Sequence, residues 1–211
     1  MSGAARARKK KPVYSVHPSL GMVQGMMAKL KERTGKTLDE WVREVIASGP
    51  PTEKERRMWL KEKHQLGTNY AWWVAERAAG KGAEHDSLEA YLKAAEGWVE
   101  AMFAGPRAGL RPVYDRLLEL GFALGKDVKA CPCQTIVPLY RNHVFAQVKP
   151  ATRTRIDFGL ALGAMKATGR LIDTGGLAKK DRITHRIPIT CVDEIDAEVE
   201  GWLHKAYEMD A

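Results

Sequence analysis

At 211 residues, with 45% hydrophobic and 28% charged side chains, the chain has a globular composition and room for one large or two small domains. No apolar run approaches the roughly 18–20 residues that span a bilayer, so no membrane role is expected. The basic start, MSGAARARKKKP, lacks the apolar core of a secretory signal.

The net charge of +8 is uneven, because residues 1–12 carry Arg6, Arg8, Lys9, Lys10 and Lys11 and no acid. A tail over 1–18 with so little to bury is predicted to be disordered. It either holds a phosphate backbone by releasing counterions or simply keeps the chain in solution. Cys131, Cys133 and Cys191 are too few and too odd in number for a disulfide framework, which points to a reducing, cytoplasmic setting.

Residues 19–80 read as a helical domain. Met22, Met26, Met27 and Leu30 recur at i, i+4, i+5 and i+8, predicting one amphipathic helix over 19–33. Thr37-Leu-Asp-Glu40 fits a capping box ahead of a helix over 38–47 that buries Leu38, Trp41 and Val42. Thr52-Glu-Lys-Glu55 repeats the signal before a helix near 53–65, and Leu66-Gly67 then turns the chain into another helix through Ala78. Two helices joined by a tight glycine turn suit a helix-turn-helix, and equally an ordinary αα-corner. Residues 81–107 read as a linker and connector helix, opened by the unpatterned AGKGAEHD and a helix start at Asp86-Ser-Leu-Glu89.

From 108 to 211 the period changes. Leu110, Val113, Tyr114, Leu117 and Leu118 predict a helix with Pro112 at its start, where a missing N–H costs nothing. TIVPLY and HVFAQV flank a hairpin turn at Arg141-Asn142, and Pro138 marks an edge or bulge. VKPATRTRIDFGL, residues 148–160, reads as one strand, and ITHRIPIT as the last. A Gly- and Lys-rich loop lies between them, and Thr190-Cys-Val-Asp193 reads as the cap of a final helix. The fold class is therefore α+β: an N-terminal helical bundle with a helix-turn-helix-like pair, then an antiparallel sheet flanked by helices.

These phrases carry a resemblance. TGKTLDEWV and the WLKEKHQLG turn make residues 19–80 similar to the bacterial domain-of-unknown-function family 4287. WVEAMFAGP, KPATRTRIDFGL, THRI and EVEGWLHKAY make residues 98–208 similar to domain-of-unknown-function family 5655. The resemblance implies a two-domain bacterial protein. The second family is loosely similar to α+β domains of the YdhG type, some linked to iron handling, which implies a metal carrier as one alternative. It supplies no catalytic residue.

Charge marks the candidate site. Residues 126–186 hold twelve Lys or Arg against four acids, whereas 193–210 hold seven acids and one lysine. Period-two geometry places Arg153 and Arg155 on one sheet face, roughly 6.5–7 Å apart. Lys149, Arg141, Arg186 and the neutral donor His185 are predicted to join them as an anion-binding face. The plain alternative is that these cations pair with acids of the last helix or face water.

Cys131 and Cys133 form a metal candidate, one that needs Cys191, His143 or His185 to complete a tetrahedral set. If the helix near Thr68 enters a nucleic-acid groove, Thr68, Asn69 and Tyr70 meet the bases first. No G-x-S-x-G, no H-E-x-x-H and no phosphate-cradling glycine loop occurs, so no catalytic residue and no cofactor is predicted. The leading expectation is a non-enzymatic binding protein for nucleic acid or another polyanion. The alternative is a site for a phosphate- or carboxylate-bearing small molecule, binding or catalytic.

Overall fold

A computed structural model describes residues 14–211, which divide into one unit of Val16–Ala94 and another of Ala95–Ala211 together with Tyr14 and Ser15. The cations at 6–11 lie outside the described residues, but the disordered tail expected over 1–18 is too long. The Tyr14 hydroxyl meets that of Tyr114 at 2.9 Å and Ser15 N–H donates to Ala130 C=O at 2.8 Å, tying residues 14 and 15 to the second unit's core.

The first unit contains α1 (Ser19–Ala28), α2 (Leu30–Thr34), α3 (Leu38–Ser48), α4 (Glu53–Glu62) and α5 (Thr68–Ala78). Both capping boxes form as the sequence predicts. Glu40 N–H donates to Thr37 Oγ1 at 3.3 Å while the Glu40 carboxylate accepts from Thr37 N–H at 2.7 Å. Thr52 and Glu55 repeat the exchange. Each cap is worth about 1 kcal/mol, because helix-end amides have no partner within the helix. Leu30, Trp41, Val45, Leu60, Leu66, Ala71 and Val74 form this unit's core.

The expected helix over 19–33 is broken. Lys29 lies between α1 and α2 with φ −91° and ψ 0°. The buried residues are Leu20, Val23 and Leu30, while Met22 is 61% exposed. The methionine stripe and the Leu–Val stripe both satisfy a helical period. Rigid branched side chains fill the interior, and the methionines stay near the surface.

The second unit holds α7 (Arg111–Leu124), α8 (Ala197–Glu208) and a sheet of β1 (Lys129–Ala130), β2 (Val137–Tyr140), β3 (Val144–Pro150), β4 (Ile156–Leu160), β5 (Ile172–Asp173) and β6 (His185–Ile189). The remaining helix, α6 (Leu88–Met102), spans the division between the units, and the Ser87 hydroxyl accepts from Ala90 N–H in its first turn. Among the described residues the sheet is six-stranded and antiparallel, in the order β1-β2-β3-β4-β6-β5.

Pairing fixes which residues share a face. Ala146, Leu160 and His185 form one row, Val148, Phe158 and Ile187 the next, and Pro150, Ile156 and Ile189 a third, all on the core side. α7 comes so close to β2 that a Cβ on Gly121 would lie 2.7 Å from Leu139. A bulge between Leu139 and Tyr140 leaves Phe145 without its own opposite residue. Phe145 turns inward and meets the Tyr207 ring edge-on at 5.6 Å.

VKPATRTRIDFGL is not one strand. β3 ends at Pro150, residues 151–155 turn with Ala151 N–H donating to Arg155 C=O at 3.0 Å, and β4 starts at Ile156. The Thr-Arg-Thr triplet has the β-branched pattern of a strand but sits exposed in that turn. Thr190 does not cap the last helix either. It binds Glu194 within a local turn, and Asp196 caps α8 by accepting from the Glu198 and Val199 amides.

No helix among the described residues is long and apolar enough to cross a membrane.

Candidate anion-binding site

The six residues expected to form one anion-binding face do not gather. Arg141 sits in the β2–β3 turn, where Nε donates to Asp127 Oδ2 at 2.8 Å and Nη1 to the Tyr207 carbonyl at 3.1 Å. Its guanidinium lies 4.2 Å over the Tyr207 ring. The Arg141 hydrogen bond, followed by that of the Tyr207 hydroxyl, holds the Asp127 carboxyl below the usual range. Arg155 Nε and Arg186 Nη1 both donate to Asp157 Oδ1, at 2.9 and 3.0 Å. One carboxylate therefore already serves both guanidiniums.

His185 is on the wrong face for a ligand residue. Alternation along β6 puts it on the core side, opposite Arg186, and it is 1% exposed. Its Nε2 donates to the Met165 carbonyl at 3.0 Å, and Nδ1 meets the Thr184 hydroxyl at 2.9 Å. It is a core histidine with both nitrogens satisfied. Arg153 and Lys149 keep the character the sequence suggests. Both are exposed, and neither has an ion-pair or hydrogen-bond partner for its side chain among the described residues.

The metal candidate is not completed. Cys131 is buried and its thiol is pushed up to about 12 by desolvation, and burial also raises Cys133. Burial favours the neutral thiol at both. His143 is engaged by Asp210, His185 by Met165, and Cys191 is exposed. Among the described residues no group of three or more His, Cys, Asp or Glu is placed to hold a metal ion. At the start of α5, Thr68 and Asn69 are exposed, but Tyr70 turns inward against Trp73, with ring centroids 6.0 Å apart.

What the structure does assemble is a cleft of about 350 Å³ at one end of the sheet, near the lower limit for small-molecule sites. Three stretches of backbone build it. The end of α6 supplies Met102, and a 3₁₀ turn beginning at Gly105 (φ +54°) and Pro106 presents Arg107. Gln134 and Thr135 occupy a turn closed by Cys133 N–H donating to Ile136 C=O at 2.8 Å. The end of β3 contributes Lys149 and Pro150.

The arginines of this unit divide into paired and unpaired ones. In Ala95–Ala211, Arg111, Arg116, Arg141, Arg155, Arg170, Arg182 and Arg186 each meet a carboxylate. Arg107 and Arg153 are the arginines of this unit left without an ion pair among the described residues. Arg107 lines the cleft with Lys149, and Arg153 stands in the turn that follows it. No carboxylate lines the cleft, whereas Gln134 and Thr135 add neutral donors. Arg107 carries no signal in the sequence, because it follows the Gly105-Pro106 break at the end of the 81–107 connector, outside any periodic stretch. The cleft itself exists only once α6, the 133–136 turn and β3 are brought together.

The fold defines a chain of two different units, one all-helical and one an antiparallel sheet covered by helices. The chain belongs to the family described as "Domain of unknown function (DUF5655)", whose profile matches residues 99–210. A second profile, "Domain of unknown function (DUF4287)", matches residues 22–80. No curated protein and no solved structure matches the chain.

Proposed function

We propose that the sheet-containing domain is a binding module for a phosphate- or carboxylate-bearing small molecule, received in the cleft of Arg107 and Lys149. The observation that carries this reading is the convergence of two cations with no carboxylate between them, in a domain where most arginines are already paired. Arg107 offers a planar fork and Lys149 a point charge, a combination suited to a tetrahedral or planar anion. Met102 and Pro150 supply apolar wall for the remainder of the ligand. The lining has no carboxylate, imidazole or thiol to move a proton, which favours binding over catalysis. Three cysteines, too few and too odd in number for a disulfide framework, fit a reducing, cytoplasmic setting.

Thermal unfolding in the presence of inorganic phosphate, pyrophosphate and citrate tests the reading. At least one should raise the melting temperature of the wild-type chain and not that of Arg107→Ala or Lys149→Ala. Equal stabilisation of all three proteins would remove the cleft as the site.

A nucleic-acid backbone is the second reading, favoured by the unpaired and exposed Arg153 beside Lys149 and by the cations of residues 6–11. Salt separates the two. Backbone binding weakens with a log–log slope of about −0.7 to −0.9 per phosphate contacted, so several contacts give a steep fall. A single small anion gives a shallow one.

A further inference from the structure

The helical unit carries a second unassigned surface, made of different residues. Between α4 and α5 runs a groove of about 340 Å³ lined by Lys54, Arg57, Met58 and Lys61 from one helix and by Asn69 and Trp72 from the other. Met58 is 50% and Trp72 40% exposed, so two large apolar side chains in the groove's lining are open to solvent. Scattered exposed hydrophobics are ordinary, but two lining one cationic groove are not.

The charge pattern is directional. Lys54 and Lys61 are exposed, have no ion-pair partner among the described residues, and stand seven residues apart on α4. Seven residues are two helical turns, or about 10 Å along the axis. Arg57 stands between them, bound to Glu53 and stacked 5.6 Å from the centre of the Trp72 ring. That contact holds the indole and occupies one side of it.

We propose that this groove docks an acidic amphipathic helix of a partner protein, an apolar side chain of which seats between Met58 and Trp72 while carboxylates two turns apart face Lys54 and Lys61. Charge complementarity selects the partner's acidity, since the lining holds three cations and no carboxylate. The apolar floor selects a side chain over a nucleobase. Arg57 already takes a stacking side of Trp72, and beside the exposed part of the indole stand the flexible thioether of Met58 and the aliphatic stems of the lysines. Helix-in-groove recognition reads in just these terms, as apolar anchors flanked by charge. The proposal concerns the other unit and stands apart from the anion cleft.

The test is selection from a random-peptide display library on the full chain. Enriched sequences should carry Asp or Glu two helical turns apart around aliphatic or aromatic residues. Synthesised, the best should bind the wild-type chain and lose at least about tenfold in affinity, about 1.4 kcal/mol, on the Lys54→Glu/Lys61→Glu pair and on Met58→Glu. The milder Lys61→Met guards against folding failure: it should weaken binding while leaving the circular-dichroism melt unchanged. Three results would overturn the proposal. They are no acidic enrichment, equal binding to the groove variants, and oligo-dT that binds the same groove and displaces the peptides.

Discussion

Arg186 on β6 reaches across to Asp157 on β4, Nη1 to Oδ1 at 3.0 Å, even though the register pairs Arg186 with Gly159 and Asp157 with Pro188. The contact is a diagonal one on the outer face of the sheet. Because Arg155 binds the same oxygen, Asp157 acts as an internal counter-anion for two guanidiniums at once.

Asp157→Asn should therefore release both guanidiniums. Heparin-column retention of the variant should shift to higher salt, and stability should fall by only about 1 kcal/mol, the scale of partly exposed ion pairs. Unchanged retention would mean the two arginines are occupied elsewhere.

Phe158 anchors the core side of β4, fully buried between Val148 and Ile187. Phe158→Ala should cost about 3–5 kcal/mol through lost apolar contact and the cavity left behind. Denaturant unfolding measures it. A loss below 1 kcal/mol would contradict the packing described.

Acid should weaken the clamp between the β2–β3 turn and α8. Asp127 accepts from Arg141 and from the Tyr207 hydroxyl, and its carboxyl is held low. With the folded pKa depressed, the unfolded chain takes up protons first. The contribution is thus whole above the ordinary Asp value near pH 4 and is lost as pH falls through the lower folded value. The gap in melting temperature between wild type and Asp127→Asn should be widest near neutrality and narrow below about pH 4. A gap that grows in acid would reverse the sign argued here.

The thiols should separate by reactivity. Alkylation at mildly basic pH, followed by mass spectrometry, should label exposed Cys191 first and leave buried Cys131, raised to about 12, last. Early labelling of Cys131 would restore it as a candidate thiolate ligand.

Local signals in the sequence were legible and global ones were not. Thr37–Glu40 and Thr52–Glu55 announce their helix starts because a capping box is complete within four residues. The alternation of Ile156, Phe158 and Leu160 announces β4 because one face is fully buried. The turn at 151–155 was hidden by Thr152 and Thr154, whose branching imitates a strand. Which cations remain free was hidden for a different reason. Asp157 neutralises Arg155 from two residues away but Arg186 from twenty-nine, and only the fold reveals the second. Arg107 and Lys149 line one cleft from forty-two residues apart and are invisible in the sequence as a pair.

The most direct measurement is amide chemical-shift mapping as pyrophosphate is added at constant salt. Shifts should concentrate at residues 101–107, 134–135 and 149–151 and vanish in the Arg107→Ala/Lys149→Ala double variant. Shifts spread over the outer face around Asp157 and Arg186, or none at all at millimolar pyrophosphate, would contradict an anion cleft at the end of the sheet.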